Sequence, residues 1–272
     1  MSESHWRLIL SEPTSGAMNM ALDEAILEAV TGLRMPPTLR FYAWNPPCLS
    51  IGYAQSVADV NPAAIKREGW DLVRRATGGR AILHTDEITY SITAPADHPL
   101  FAHGVLPSYK RISLALISGL EKMGLLPELH TSHPGHPSNG NPVCFQNPSA
   151  FEIMVNGKKL VGSAQLRRAG GILQHGSLPL QGELGRICLA LLYASDHLRQ
   201  QAMREIGQHA ISVEGALGNR ISWADTARHL AAGFEEALNL RFSRQQPSEP
   251  EIVRAHEILK NRYSHPDWTQ RV

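Results

Sequence analysis

The 272-residue sequence predicts an α+β fold: one mixed or antiparallel sheet arrangement with flanking helices. Three observations carry this. Two β-rich runs meet at Asn156-Gly157 in "FEIMVNGKKLVGSA", the residue pair of a two-residue type I′ hairpin. Apolar stripes at helical spacing occur near both ends of the chain. Strand-like and helix-like segments alternate irregularly, without the regular β-α-β order of a parallel sheet.

In chain order, "WRLIL" reads as a first strand. Thr14 or Ser15 can cap a helix through about Val30, with Met18, Leu22, Ile26 and Ala29/Val30 on one face. "TLRFYAW" and "CLSIGY" read as strands separated by the breaker Asn45-Pro46-Pro47. Asn61-Pro62 opens a short helix, because proline is tolerated at the first helical position. "WDLVRR", "RAILH" and "ITYSITA" give three more strands, the first two joined around Gly78-Gly79. Ile112, Leu116, Leu120 and Met123 mark a second helix. In the hairpin, Val155 pairs with Lys158 and Lys159 faces the side of Met154, so the two lysines point to opposite faces. "GILQHGSLPL" adds a strand, and beyond Leu180 the pattern turns helical through "ADTARHLAAGFEEAL" and "EPEIVRAHEILKNRY". The polar stretch "SRQQPSEPE" (243–251) reads as a linker, too near the end for a second domain. The expected division is a catalytic domain over 1–245 and a C-terminal helical extension over 246–272.

Composition excludes several classes. A formal charge of +1 gives no global field toward nucleic acid or membrane, and no segment reaches spanning length. Three scattered cysteines, Cys48, Cys144 and Cys188, form neither a disulfide framework nor a CxxC pair, which points to a cytoplasmic protein. Cys48 and Cys188 have apolar neighbours and read as packing residues.

Two segments remain for chemistry. "RRATGGRAILHTDEITYSI" (74–92) combines arginines, a Gly-Gly pair and His84. Bare glycine backbone suits a tight turn or close approach to a ligand, but the spacing is neither a Walker loop nor GxGxxG. Taken locally, a turn with solvated arginines and a hydrogen-bonded structural histidine explains it equally well. The second segment, residues 130–150, is a long loop rich in His, Pro, Gly and Asn that contains Cys144. Loops of that length within a domain are uncommon and are functional or disordered. His130, His133 and His136 lack the short paired spacings of a zinc site, so no metal is expected.

"RRATGGR…H", "NGKKLVGSAQ" and "ILQHGSLPL", in this order, resemble the catalytic domain shared by lipoate-protein ligases, biotin ligases and lipoate-pathway octanoyltransferases (the BPL/LPL type); "NMALDEAIL" fits the same pattern. The resemblance spans roughly residues 5–240. It implies a tunnel for a medium-chain acyl group, with Gly78 and Gly79 packing backbone beside the chain and Arg75 or Arg80 and His84 near its polar end. Thr77, His175 and Gly176 fall in the same motifs and are expected to bind substrate.

Within that superfamily, Cys144 in "NPVCFQNPSAFE" followed by Lys159 resembles the octanoyltransferases of the LipM type, with a separation of 159 − 144 = 15. That resemblance implies Cys144 as nucleophile and Lys159 as its partner. A free thiol has a pKa of about 8.5, and a nearby ammonium lowers it. It further implies octanoyl-acyl carrier protein as donor and the lysine of an apo lipoyl domain, such as glycine cleavage H protein, as acceptor. No cofactor and a monomer are expected. Backbone N–H groups at Gly162, Ser163 and Ala164 are candidate oxyanion donors. Arg167-Arg168 and Lys110-Arg111 read as solvated faces, one of which could dock the acidic carrier. The competing readings are an ATP-dependent lipoate or biotin ligase, an amidotransferase moving octanoate between lipoyl domains, and a non-catalytic lipoyl- or acyl-binding protein.

Overall fold

The chain enters through β1 (Ser4–Leu10), and Ser15 then caps α1 (Gly16–Thr31), its Oγ accepting the Met18 amide at 3.3 Å. The computed structural model describes residues 4–131 and 151–272. After β2 (Thr38–Tyr42) and β3 (Cys48–Ile51), α2 (Pro62–Glu68) begins on its proline, with Asn61 Oδ1 accepting the Ala64 amide at 3.1 Å. β4 (Asp71–Arg74), β5 (Ile82–His84) and β6 (Glu87–Pro95) precede α3 (Val105–Lys122) and β7 (Glu128–His130). β8 (Glu152–Val155), β9 (Lys158–Arg168) and β10 (Gly171–Pro179) follow. The remainder is α4 (Asp196–His209), α5 (Val213–Leu217), α6 (Trp223–Leu238), β11 (Leu240–Arg244), α7 (Glu249–Ile258) and α8 (Pro266–Thr269).

Among the described residues, eight strands form one mixed sheet in the order β11-β1-β2-β6-β10-β9-β8-β7, and three form a small sheet, β4-β3-β5. β1 pairs parallel with both β11 and β2, whereas β2, β6, β10, β9, β8 and β7 pair antiparallel in succession. One face of the large sheet packs Phe41, Tyr90 and Ile92 against α3 and α6 through Ile112, Leu116 and Phe234. These two helices touch backbone to backbone: a Cβ on Gly233 would lie 2.2 Å from the Gly119 amide nitrogen. On the other face Met20, Ala25, Tyr42, Ala255 and Ile258 join α1 to α7. The small sheet packs Leu49, Ile51 and Ile82 onto Ile187 and Ile206.

The α+β expectation holds, and so does the hairpin. Asn156 and Gly157 both have positive φ, 52° and 70°, and Val155 faces Lys158 while Met154 faces Lys159. Cys48 and Cys188 are free and buried, as their neighbours predicted. The strands flanking Gly78-Gly79 are not partners of each other, because β3 lies between them: Ser50 is paired with Val73 on one side and Ile82 on the other. The segment read as a linker is also more ordered than its composition suggests. Its first two residues end β11, and from Ser248 it forms the capping box of α7, closed by Glu251. Glu251 then reaches the buried Arg7 of β1 with two hydrogen bonds of 2.6 and 2.8 Å.

Candidate active site

The "RRATGG" segment wraps the end of β3, with the Arg75 amide bonded to the Ile51 carbonyl and the Tyr53 amide to the Thr77 carbonyl. Arg75 is 4% exposed, and its guanidinium donates to the Gly78 and Arg80 carbonyls and to both Ser50 oxygens, at 2.8–3.2 Å. A cation with this set of acceptors holds the turn in shape. Gly79 sits at φ 93°, and Gly52 abuts it so closely that a Cβ there would fall 2.0 Å from the Gly79 carbonyl oxygen. Arg74 is equally consumed, donating to the Gly52, Gln55 and Thr269 carbonyls.

Beside this turn lies a cavity with an empty volume of about 390 Å³ counted to its open mouth. Its apolar walls are Met20, Tyr42, Trp44 and Ile82, and it is floored by the small residues Gly79, Gly162, Ala164 and Gly176. A Cβ on Gly176 would collide with Tyr90 at 2.6 Å and with the Gly162 carbonyl oxygen at 2.8 Å, so this strand crossing requires glycine. Lined this way, the cavity can shelter a hydrocarbon chain.

Most polar groups in the cavity wall are already paired. His84 stacks on Trp44 with ring centroids 3.9 Å apart, and it bridges Ser50 Oγ and Glu87 Oε1 at 2.8 Å each. Glu87 also accepts from Thr89 and Ser177. Burial raises the Glu87 pKa, but His84 and the two hydroxyl donors outweigh it, holding the carboxyl below its usual range. His175 Nε2 lies 2.6 Å from Thr77 Oγ1, and its Nδ1 stands 3.5 Å from Asp23 Oδ2, longer than a good hydrogen bond. Burial is the largest influence on His175 and lowers its pKa. Asp23 accepts from Arg40, Tyr42 and Ser91 at 2.8–2.9 Å. Burial pushes its pKa up, yet Arg40 and His175 prevail and leave it depressed. Burial pushes the Tyr90 phenol up to about 12, so it stays protonated beside Ser163 at 2.8 Å.

Stability should therefore fall in two steps on acidification. A depressed folded-state pKa means the unfolded chain binds the proton more readily, so stability is present above the unfolded value and lost as pH falls. For His175, and for the half-buried His98 whose pKa burial also lowers, that loss starts near 6.5. For Asp23 and Glu87 it starts near 3.8 and 4.5. Thermal melting from pH 8 to 3 should show both steps, and His175→Gln should reduce the first directly and the second in part, because His175 helps to depress the Asp23 pKa. A melting temperature that is flat between pH 7 and 5 would contradict this.

Of the residues expected from the sequence, Arg75, Gly79, His84, Gly162, Ser163, Ala164, His175 and Gly176 line this one cavity. Thr77 stands behind it, bonded to His175. Gly78 lines a neighbouring groove instead, and Arg80 is not among the lining residues of either. Cys144 lies outside the described residues, as do His133 and His136.

Lys159 is 4% exposed and donates to Glu152 Oε1 at 2.7 Å. Its facing depends on an irregularity that the sequence does not announce. Met154 pairs with Lys159 but Ile153 pairs with Val161, so β9 carries one extra residue there. The bulge reverses the two-residue alternation and turns Lys159 toward the face of Gly162 and Ala164, the cavity side; unbroken pairing would send it to the other. Lys158 points outward to the Gly207 carbonyl.

Sequence reasoning missed Asp23, Arg40 and Glu87. A signal existed for two of them: Asp23 shares a helix face with Met20 and Leu27, and Arg40 sits between Leu39 and Phe41 in β2, placements that predict a buried ionic partner, whereas Glu87 begins β6 beside Asp86 and gave none. Arg167 also departs from expectation. It is half-buried and bonded to the Phe101 and Gly104 carbonyls at 2.9 and 2.7 Å.

A mixed sheet enclosing an apolar, glycine-floored cavity, with a buried lysine on the cavity face, defines a catalytic domain that handles acyl chains. The chain belongs to the lipoyl protein ligase A/B catalytic domain family, whose model matches residues 15–235. It is similar to octanoyltransferase LipM of Brevibacillus brevis, 37% identical over 98% of this chain and 99% of the relative. Octanoyltransferase LipM of Moorella thermoacetica is 38% identical over the full length of both. Among solved structures, the bi-partite lipoate protein ligase of Thermoplasma acidophilum superposes with a TM-score of 0.82, at 24% identity and covering 98% of this chain and 96% of its own, a likeness of fold.

Proposed function

We propose that the chain moves an octanoyl group from an acyl carrier protein to the lysine of an apo lipoyl domain, through a thioester on Cys144. The observation that carries the octanoyltransferase reading is the end-to-end likeness to LipM proteins; the apolar cavity on the sheet face that Lys159 shares supports it chemically.

In the first step a Cys144 thiolate attacks the donor thioester carbonyl, and the carrier thiolate leaves and takes up a proton. One thioester replaces another at little free-energy change. In the second step the neutral ε-amine of the acceptor lysine attacks, the Cys144 thiolate leaves and the amine proton is lost, giving a far more stable amide. The Lys159 ammonium, held by Glu152, favours the thiolate in each state where sulfur carries the charge. Beyond Val161, β9 is paired only with β10 among the described residues, so alternate N–H groups near Gly162–Ala164 point away from that partner. They suit the role of oxyanion donors, each worth about 10²–10³ in rate.

The test is intact-mass spectrometry after mixing with octanoyl-acyl carrier protein, without ATP. One octanoyl adduct, labile to hydroxylamine and missing from Cys144→Ser, is expected. Wild-type protein that acquires no adduct would end the covalent reading, and a requirement for ATP would favour a ligase.

A further inference from the structure

We propose that a cationic groove next to the acyl cavity, across the Gly78-Gly79 turn, binds the phosphate of the donor's thioester-bearing arm. This deepens the octanoyl-transfer reading and rests on it.

The face of β9 that carries Gly162 and Ala164 runs on past the cavity. With strict alternation beyond the bulge, Leu166 and Arg168 share their face of β9, about 13 Å further along at the usual rise per residue. There the chain forms a second depression of about 990 Å³, counted to its open mouth, which also meets the other side of the Gly78 turn. Its floor is apolar, formed by Tyr53, Ala76, Leu166 and Trp268.

Arginines line and border it, and none of its own lining residues is a carboxylate. Arg168 is exposed, with no hydrogen-bond or ion-pair partner among the described residues. Arg271 belongs to the adjoining depression, which also holds Asp267, but it lies over the Tyr53 ring at 4.0 Å and near Trp268 at 5.1 Å, without an ion-pair partner among the described residues. Arg262, by contrast, is already bonded to Glu24. Two guanidinium groups beside an aromatic floor suit a phosphate, because a guanidinium fork donates two parallel hydrogen bonds to a pair of its oxygens.

The donor chemistry supplies such an anion at a matching distance. An acyl carrier protein presents its thioester on a phosphopantetheine arm. Extended, that arm has roughly the bond count of four to five peptide residues, about 15 Å at the extended reach per residue. With the acyl chain in the cavity and the thioester carbonyl beside Ala164, the phosphate would fall about level with Arg168 on β9. The dehydrated apolar floor would carry the methylated middle of the arm.

Two small donors isolate the phosphate: octanoyl-pantetheine and octanoyl-4′-phosphopantetheine. Wild-type enzyme should show a KM for the phosphorylated donor about tenfold lower, a gap that narrows as salt rises. In Arg168→Gln/Arg271→Gln the two KM values should converge, with the melting temperature kept because neither side chain supports the fold. Equal KM values in wild type, or a gap that survives the double substitution, overturns the inference while transfer itself continues. Absence of any acyl adduct from either donor instead removes the transfer reading, and the inference falls with it.

Discussion

Cys144→Ala should abolish octanoyl transfer, lowering kcat on the order of 10⁴-fold or more, as loss of a nucleophile does where it acts in concert with its neighbours. Serine should fare little better, since its hydroxyl is far less acidic than a thiol and an ammonium beside it cannot make up the difference. Lys159→Met should cost less, on the order of 10²–10⁴-fold, because thiolate remains accessible at high pH. Its rate should accordingly recover as pH rises toward the unassisted thiol pKa of about 8.5. The double variant Cys144→Ala/Lys159→Met should be no slower than Cys144→Ala, since the two residues act on one charge. Single-turnover transfer from octanoyl-acyl carrier protein to an apo lipoyl domain measures all four variants. Additive losses, or a Lys159→Met rate that ignores pH, would separate the two residues and break the proposed pair.

Asp23→Ala should give the largest loss of stability, about 3–5 kcal/mol, the range for removing one partner of a buried ion pair. Arg40 is 0% exposed, and its guanidinium donates to Asp23, Asn19 and Ser11. Without Asp23 the cation keeps only neutral acceptors in a place water does not reach. The Tyr42 hydroxyl and Ser91 hydroxyl lose their acceptor as well. Most of the loss comes from the charge left behind, so Asp23→Leu/Arg40→Met should be markedly more stable than Asp23→Ala alone. Urea unfolding at neutral pH reads both differences. A cost below about 1 kcal/mol would mean that water or a neighbour compensates Arg40.

Local features were legible in the sequence where local rules govern them. Ser15, Asn61 and the Asn156-Gly157 turn act within a few residues of themselves, so capping and turn chemistry place α1, α2 and the hairpin correctly. β11 was not legible. A parallel edge strand is defined by its partner β1, more than two hundred residues away in sequence, and its own five residues carry little pattern.

The same division runs through the site. Sequence alone determined the fold class, the family, the pair Cys144 and Lys159 as the chemistry-bearing candidates, and eight of the residues that meet at the cavity. It could do so because motifs and propensities are written in neighbouring residues. Tertiary structure alone decided that Arg74 and Arg75 bind carbonyls, that Gly78 opens onto a different groove from Gly79, and that a one-residue bulge turns Lys159 toward the cavity. These depend on where distant backbone groups come to rest, because a buried cation takes whichever acceptors surround it and a strand's facing follows its pairing register.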